Sequence, residues 1–248
     1  SNKTNYFLAV MNPFSQLTQT KRTLNCILIL IFATTIVYFN SLKGSFQYDD
    51  ITFQQRIWVS NLEEYQNRVK IFTFNDYSAR TIFHAISARP VVLFTLSLNN
   101  TLNKNNPFGF HLANLIFHIL TTILVFFVIR LAFEFSQKTF RNGTSFALVA
   151  SFVFAIHPVF TESVSYISSR SSELLSFFYL LGIWYFLLLF QRKNIKKVYT
   201  SVQILLIFLC FYLSLTSKIV AVTFPVGLFL LFIFLICPRK YPNLFLKL

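Results

Sequence analysis

Long apolar runs alternate along this chain with short stretches that hold nearly all of its charge. The runs Leu24–Phe39, Phe108–Phe133, Leu175–Phe190, Val202–Leu215 and Ile219–Ile236 include Arg130 as their only charged residue. A sixth run, Ser145–Ile156, is shorter and meets Pro158 at its end. A helix needs ~20 residues to cross a hydrocarbon core of ~30 Å, so the shorter runs must borrow flanking residues or tilt. The pattern predicts an all-α polytopic membrane protein with about six transmembrane helices. Pro90–Leu102 is the ambiguous element. Read as a full span it would invert every later loop, so it is assigned as a re-entrant or interfacial helix. The loop 40–89 before it is not a bare linker. Ile57–Tyr65 alternates at roughly helical spacing, and Ala79–Ile86 and Pro90–Leu98 are amphipathic or apolar, as in helices lying in the membrane interface. No internal repeat divides the chain, which predicts a single transmembrane module over residues 1–248.

Composition agrees with that class. The chain is 55% hydrophobic and 12% charged, about half the charge of a soluble domain. Its net charge of +14 invites a nucleic-acid partner, but the positions of the charges exclude one. Basic residues sit beside apolar runs: Lys21 and Arg22, Lys138 and Arg141, Arg192 to Lys197, Arg239 and Lys240. Such clusters set topology and touch anionic lipid. Cys26, Cys210 and Cys237 lie in or beside apolar runs, without a disulfide framework or metal-ligand spacing. No signal-peptide pattern opens the sequence.

With Lys21 and Arg22 cytoplasmic, the loops 40–89 and 157–173 both fall outside, and every short basic loop falls inside. Of the eight acids, Asp49, Asp50, Glu63, Glu64, Asp76, Glu162 and Glu173 then share the external side, leaving Glu134 inside. The N-terminus is expected in the cytoplasm and the chemistry on the extracytoplasmic or lumenal face. The membrane is a bacterial inner membrane or the endoplasmic reticulum.

Candidate chemistry concentrates in those two loops. Asp49 and Asp50 are adjacent carboxylates at the membrane surface. They could serve as a general base or hold a divalent cation against a pyrophosphate-like head, or they could be a solvated pair or helix cap. His111, Asn114 and His118 fall at i, i+3 and i+7, on one face of the second span. That stripe should face the bundle, where interhelical hydrogen bonding competes with a catalytic role. Arg89 and Arg170 lie at headgroup level and suit bidentate phosphate recognition, with ordinary snorkelling as the alternative. Pro158 stops the short helix and presents His157 at its outer end. Glu162 follows five residues on, Glu173 closes the polar segment, and Lys218 sits in a short external turn.

Five segments in chain order resemble one family. They are Tyr48-Asp-Asp50, the Arg89–Asn99 stretch, the Phe110–His118 stretch, Ala155–Val164 with Arg170 and Glu173-Leu-Leu175 after it, and Leu215-Thr-Ser-Lys218. Together they are similar to the membrane-embedded half of the transmembrane-and-tetratricopeptide-repeat proteins, a branch of the GT-C glycosyltransferases related to protein O-mannosyltransferases. The resemblance runs from about residue 20 to residue 235. It implies inverting transfer of a sugar from a polyprenyl-phosphate donor to a protein hydroxyl on the extracytoplasmic face. Carried over by position, Asp49, with Asp50 beside it, would be the general base. Arg89, Arg170 and Lys218 would hold the lipid phosphate. His157 and Glu162 would line the pocket, with His111, Asn114, His118 and Glu173 around it. Its partners would be membrane lipid, the donor lipid and an acceptor protein.

Two departures stand out. Ile219 occupies a position where the family usually carries Glu after Ser-Lys. The family also continues with further spans and a repeat array, whereas this chain stops at Lys247-Leu248, which predicts a truncated protein or a shortened relative. The main alternative to an enzyme is a non-catalytic membrane subunit or anchor within a larger assembly of membrane chains. A transporter component would be expected to show broken-helix pairs and repeat symmetry, which the sequence lacks.

Overall fold

A computed structural model describes residues 13–47, 50, 89–104, 106–135, 143–191 and 197–240. The interfacial helices expected at 57–65 and 79–86, and Asp49 itself, lie outside the described residues. Those described are helical or in turns, with no strand among them. The helices are α1 (Pro13–Tyr38), α2 (Pro90–Asn103), α3 (Pro107–Phe135), α4 (Gly143–Ile156), α5 (Thr161–Ser165), α6 (Arg170–Gln191) and α7 (Lys197–Ser217). After them come α8 (Phe224–Leu231) and α9 (Cys237–Lys240), joined by a π-helical turn at Phe232–Ile236.

Five helical segments are long and apolar enough to cross a membrane: Thr20–Lys43, Pro107–Phe135, Ile167–Gln191, Val198–Ser217 and Ile219–Ile236. A sixth forms if α4 and the Pro158–Ser165 segment count as one span, bent by 46° at His157. Proline explains that bend, because the ring cannot donate a hydrogen bond and clashes with the turn before it. Helix α2 has 14 residues, hence a length of ~21 Å, too short to cross ~30 Å of hydrocarbon. A short element at this position agrees with the re-entrant or interfacial assignment. Both ends of α2 are sharply set. Arg89 precedes Pro90 with φ 52°, and Lys104 follows with φ 47°, its N–H bonding the carbonyl of Asn100. Left-handed backbone is uncommon for side-chain-bearing residues.

The helices pack as a row. α7 lies against α6, α6 against α3, and α3 against α4, with α1 covering the junction of α3 and α4. Helix α2 rests on α7 and α3 through Val92, Leu96, Ser97 and Asn100. Its Val92 and Leu96 enter one core cluster with Phe110, Ile167 and Leu174. Close helix approach depends on two glycines. A Cβ at Gly182 would lie 2.6 Å from the Phe224 ring, and one at Gly227 would lie 2.6 Å from the Tyr179 hydroxyl. Large apolar residues cover the outer surface, among them Phe32, Leu205 and Phe234, each more than two-thirds exposed. That is the composition expected where the solvent is lipid.

The chain alternates direction through the row, so two ends can be distinguished. Tyr38, the start of α3, His157, the start of α6 and Lys218 share one end. Arg22, Arg130 and Glu134 share the other. There Arg22 Nη2 donates to Ser145 Oγ at 2.7 Å, Arg130 Nη1 donates to Thr23 Oγ1 at 2.9 Å, and Gln191 donates to Glu134.

Candidate functional site

The site is built where the entry to the first loop meets the Pro158–Ser169 segment. Asp50 is 2% exposed. Its Oδ1 accepts the Ser168 N–H at 2.8 Å, and its Oδ2 accepts the N–H groups of Ile167 at 3.3 Å and Gln47 at 3.5 Å. Burial pushes the Asp50 carboxyl above the ordinary carboxylate range, and these N–H donors and His111 pull against that shift. The two polar loops therefore meet at one place, pinned by a carboxylate on main-chain donors. Asp50 is turned into the fold, so its oxygens do not form an open ligand pair. Among the described residues no group of three or more His, Cys, Asp or Glu comes together in a way that could hold a metal ion.

Two residues beyond that pin lies Arg170, with no exposed surface. Its Nε donates to Asn114 Oδ1 at 2.8 Å, and its Nη2 donates to the Phe110 carbonyl at 2.7 Å. Nη1 donates to Asn99 Oδ1 at 2.6 Å and to the Thr95 carbonyl at 3.3 Å. The guanidinium also sits 5.7 Å from the centre of the Phe110 ring. One side chain of α6 thus fastens α2 and α3. Asn114 completes the joint by donating to the carbonyls of Tyr166 at 3.1 Å and Ser163 at 3.4 Å.

The stripe on α3 is buried along its whole length: His111 is 1% exposed, and Asn114 and His118 have no exposed surface. His111 lies over Gly44, where a Cβ would come within 2.8 Å of its Nε2. Among the described residues neither His111 ring nitrogen makes a well-formed hydrogen bond, although the Gly44 main chain lies against the ring. His118 Nε2 lies 3.3 Å from the Ala155 carbonyl, and its Nδ1 lies 3.6 Å from Glu173 Oε1. Tyr38, Phe154 and Phe160 ring this imidazole, with centroids 5.1 to 5.6 Å away.

His157 and Glu162, in contrast, are exposed on the outer face of the turn. His157 caps that turn: its Nδ1 accepts the Val159 N–H at 3.2 Å, and its carbonyl accepts the Tyr38 hydroxyl at 2.9 Å. The two remaining cations converge on neighbouring hydroxyls. Arg89 Nη1 donates to Ser171 Oγ at 3.5 Å, and Lys218 Nζ donates to Ser172 Oγ at 2.8 Å. Ser171 and Ser172 lie in the first turn of α6, which continues the 3-10 turn Ile167–Ser169; the N–H groups of Ile167 and Ser168 at the entry of that turn are already given to Asp50. Sequence reasoning did not single out these serines, nor Thr95 or Tyr38. The run Ser168-Ser-Arg-Ser-Ser172 was the available signal.

Comparison with known proteins adds a relationship. The chain is 33% identical over 163 residues to human protein O-mannosyl-transferase TMTC1, covering 62% of this chain and 17% of that protein. A Caenorhabditis elegans protein O-mannosyl-transferase is 33% identical over 160 residues, 63% of this chain and 22% of the relative. Drosophila melanogaster Tmtc3, also a protein O-mannosyl-transferase, is 30% identical over 171 residues, 63% of this chain and 18% of the relative. The chain is a distant homologue of the TMTC protein O-mannosyl-transferases. It spans about a fifth of the length of these curated relatives. No family model matches it, and no solved structure matches it.

Proposed function

We propose that this chain contributes the membrane-embedded site of a GT-C-type transferase that moves a sugar, mannose by its relatives, from a polyprenyl-phosphate donor to a protein hydroxyl. The observation carrying this proposal is the convergence of Arg89 and Lys218 on Ser171 and Ser172 at the N-terminal end of α6. Two cations and two hydroxyls make a cradle for a phosphate at headgroup depth. Arg170 orients that cradle from beneath, since its donors are already given to Asn99, Asn114, Thr95 and Phe110. His157 and Glu162 face outward on the adjoining turn, toward the acceptor.

In the reaction the acceptor hydroxyl oxygen attacks the anomeric carbon while the bond from that carbon to the phosphate oxygen breaks. Polyprenyl phosphate leaves, its charge stabilised by the cradle, and the hydroxyl proton passes to a base. Asp49 is assigned that role. It lies outside the described residues, but its neighbour Asp50 is anchored on Ile167 and Ser168, beside the cradle. We assign the site end to the extracytoplasmic side; the basic residues Lys21, Arg22 and Arg130 at the opposite end support that assignment by the positive-inside rule.

The test is donor binding and transfer in membranes. Arg89→Ala with Lys218→Ala should weaken binding of dolichyl phosphate by tenfold or more, from two lost charge-assisted contacts. Sugar transfer from a labelled dolichyl-phosphate mannose should fall in parallel. Unchanged dolichyl-phosphate affinity in the double variant would remove the cradle from the mechanism.

A further inference from the structure

The end of the helix row away from Arg89 and Lys218 carries a ladder of its own on α1. Lys21, Asn25, Leu28 and Phe32 fall at i, i+4, i+7 and i+11, which places them on one face of the helix. All four are exposed, Leu28 by 54% and Phe32 by 69%. A groove of about 560 Å³ runs along this face, lined by Leu28, Ile29, Ile31, Phe32 and Thr35. Its lining is apolar throughout, because the Thr35 hydroxyl is bonded to the Ile31 carbonyl at 2.7 Å. Such a volume falls within the ~300–1,000 Å³ typical of ligand clefts. The head of the groove is cationic. Arg22 adjoins Lys21 and donates to Ser145 Oγ at 2.7 Å, and Arg130 of α3 reaches the same junction, donating to Thr23 Oγ1 at 2.9 Å. A guanidinium has several further N–H donors, so each arginine keeps some to offer beyond that bond. Glu134, the acid at this end among the described residues, accepts from Gln191 of α6 instead. Asn25 lies one turn inside the span Thr20–Lys43, where an exposed amide meets hydrocarbon unless something polar covers it. Among the described residues it has no hydrogen-bond partner.

One ligand chemistry satisfies all three levels of this ladder. A phosphodiester suits Lys21, Arg22 and Arg130, since arginine binds phosphate through its fork and lysine as a point charge. Ester carbonyls can accept from the Asn25 amide, four residues and roughly 6 Å deeper. An acyl chain fills the apolar groove below. Charge, amide and hydrocarbon thus follow the order of a glycerophospholipid read from headgroup to tail. We propose that this face of α1 binds one anionic glycerophospholipid, with its phosphate among Lys21, Arg22 and Arg130, its ester carbonyls on Asn25 and one acyl chain along residues 28–35. Snorkelling alone accounts for the cations, but not for an amide and a groove in register beneath them. The site lies at the opposite end of the row from Arg89 and Lys218, so it stands apart from sugar transfer.

The experiment measures lipid binding to the full chain in detergent micelles, with phosphatidylglycerol and phosphatidylcholine as the probes. Phosphatidylglycerol should bind about tenfold more tightly, and Lys21→Gln with Arg22→Gln should remove that preference, at about fivefold per charge. Asn25→Leu should weaken both lipids and leave their ratio unchanged. A phosphatidylglycerol carrying a diazirine midway along one acyl chain should crosslink to residues 28–35. Leu28→Trp fills the groove from an exposed position and should move that label elsewhere without altering a charge. Equal affinity for the two lipids would overturn the proposal, and so would unchanged affinity in the charge or amide variant. A label spread evenly over the exposed spans, or a Leu28→Trp pattern identical to that of the wild type, would overturn it independently of any loss of folding in the charge variant.

Discussion

At one end of the helix row Arg170 is enclosed and gives its donors to four acceptors on two other helices. At the other end Arg22 and Arg130 each donate to a single hydroxyl close to the surface. Both ends place arginine beside an apolar span, yet they use it differently. An arginine at the edge of a bilayer satisfies itself with water and headgroups, so its protein contact is optional. A fully desolvated guanidinium has no such recourse, and the fold around Arg170 is shaped to meet its planar fork. The site end is thus a preformed polar joint inside an apolar shell, whereas the opposite end is an anchor.

Substitutions sharpen the contrast. The largest effect is expected for Arg170→Lys. An ammonium cannot reach Asn99, Asn114 and Phe110 together, so several buried acceptors lose their donor, and unfolding free energy should fall by about 3–5 kcal/mol. Thermal or denaturant unfolding in micelles checks this, and a variant as stable as the wild type would erase the distinction between the ends. Asp50 comes next. Its carboxyl is raised by burial, so its contribution is fully present below the ordinary carboxylate range and is lost as pH rises through the raised value. Stability measured across acidic pH should therefore carry a component that Asp50→Asn flattens. The same substitution should lower stability at neutral pH by about 1–3 kcal/mol, through loss of an acceptor for the Ile167 and Ser168 N–H groups. The smallest effect belongs to Arg22→Ala, under about 1 kcal/mol because the contact is exposed. A larger loss there would mean that the anchoring end is also a joint.

Much of this architecture can be read from residue order. The apolar run Phe108–Phe133 becomes Pro107–Phe135, Ser145–Ile156 becomes Gly143–Ile156, and Ile219–Ile236 keeps its bounds. Prolines 90, 107 and 158 mark helix starts because their missing N–H is tolerated there. The stripe of His111, Asn114 and His118 turns inward, as helical spacing requires. The division of labour among cations is not legible. Sequence treats Arg89, Arg170 and Lys218 alike, since two of the acceptors that saturate Arg170 are the main-chain carbonyls of Thr95 and Phe110. Nor does Asp49-Asp50 reveal that Asp50 is the inward carboxylate. Its partners are backbone N–H groups of residues 117 and 118 positions away, which carry no side-chain signature.

The left-handed turn at Arg89 makes that corner spring-loaded. Its backbone sits on the order of 1 kcal/mol above a relaxed conformation, and the seating of the Pro90–Asn103 helix helps to keep it there. If that helix loosens, residue 89 will be among the first to unwind toward extended backbone, swinging its cation off Ser171. Anion affinity at this corner is therefore a gauge of how firmly the short helix is docked.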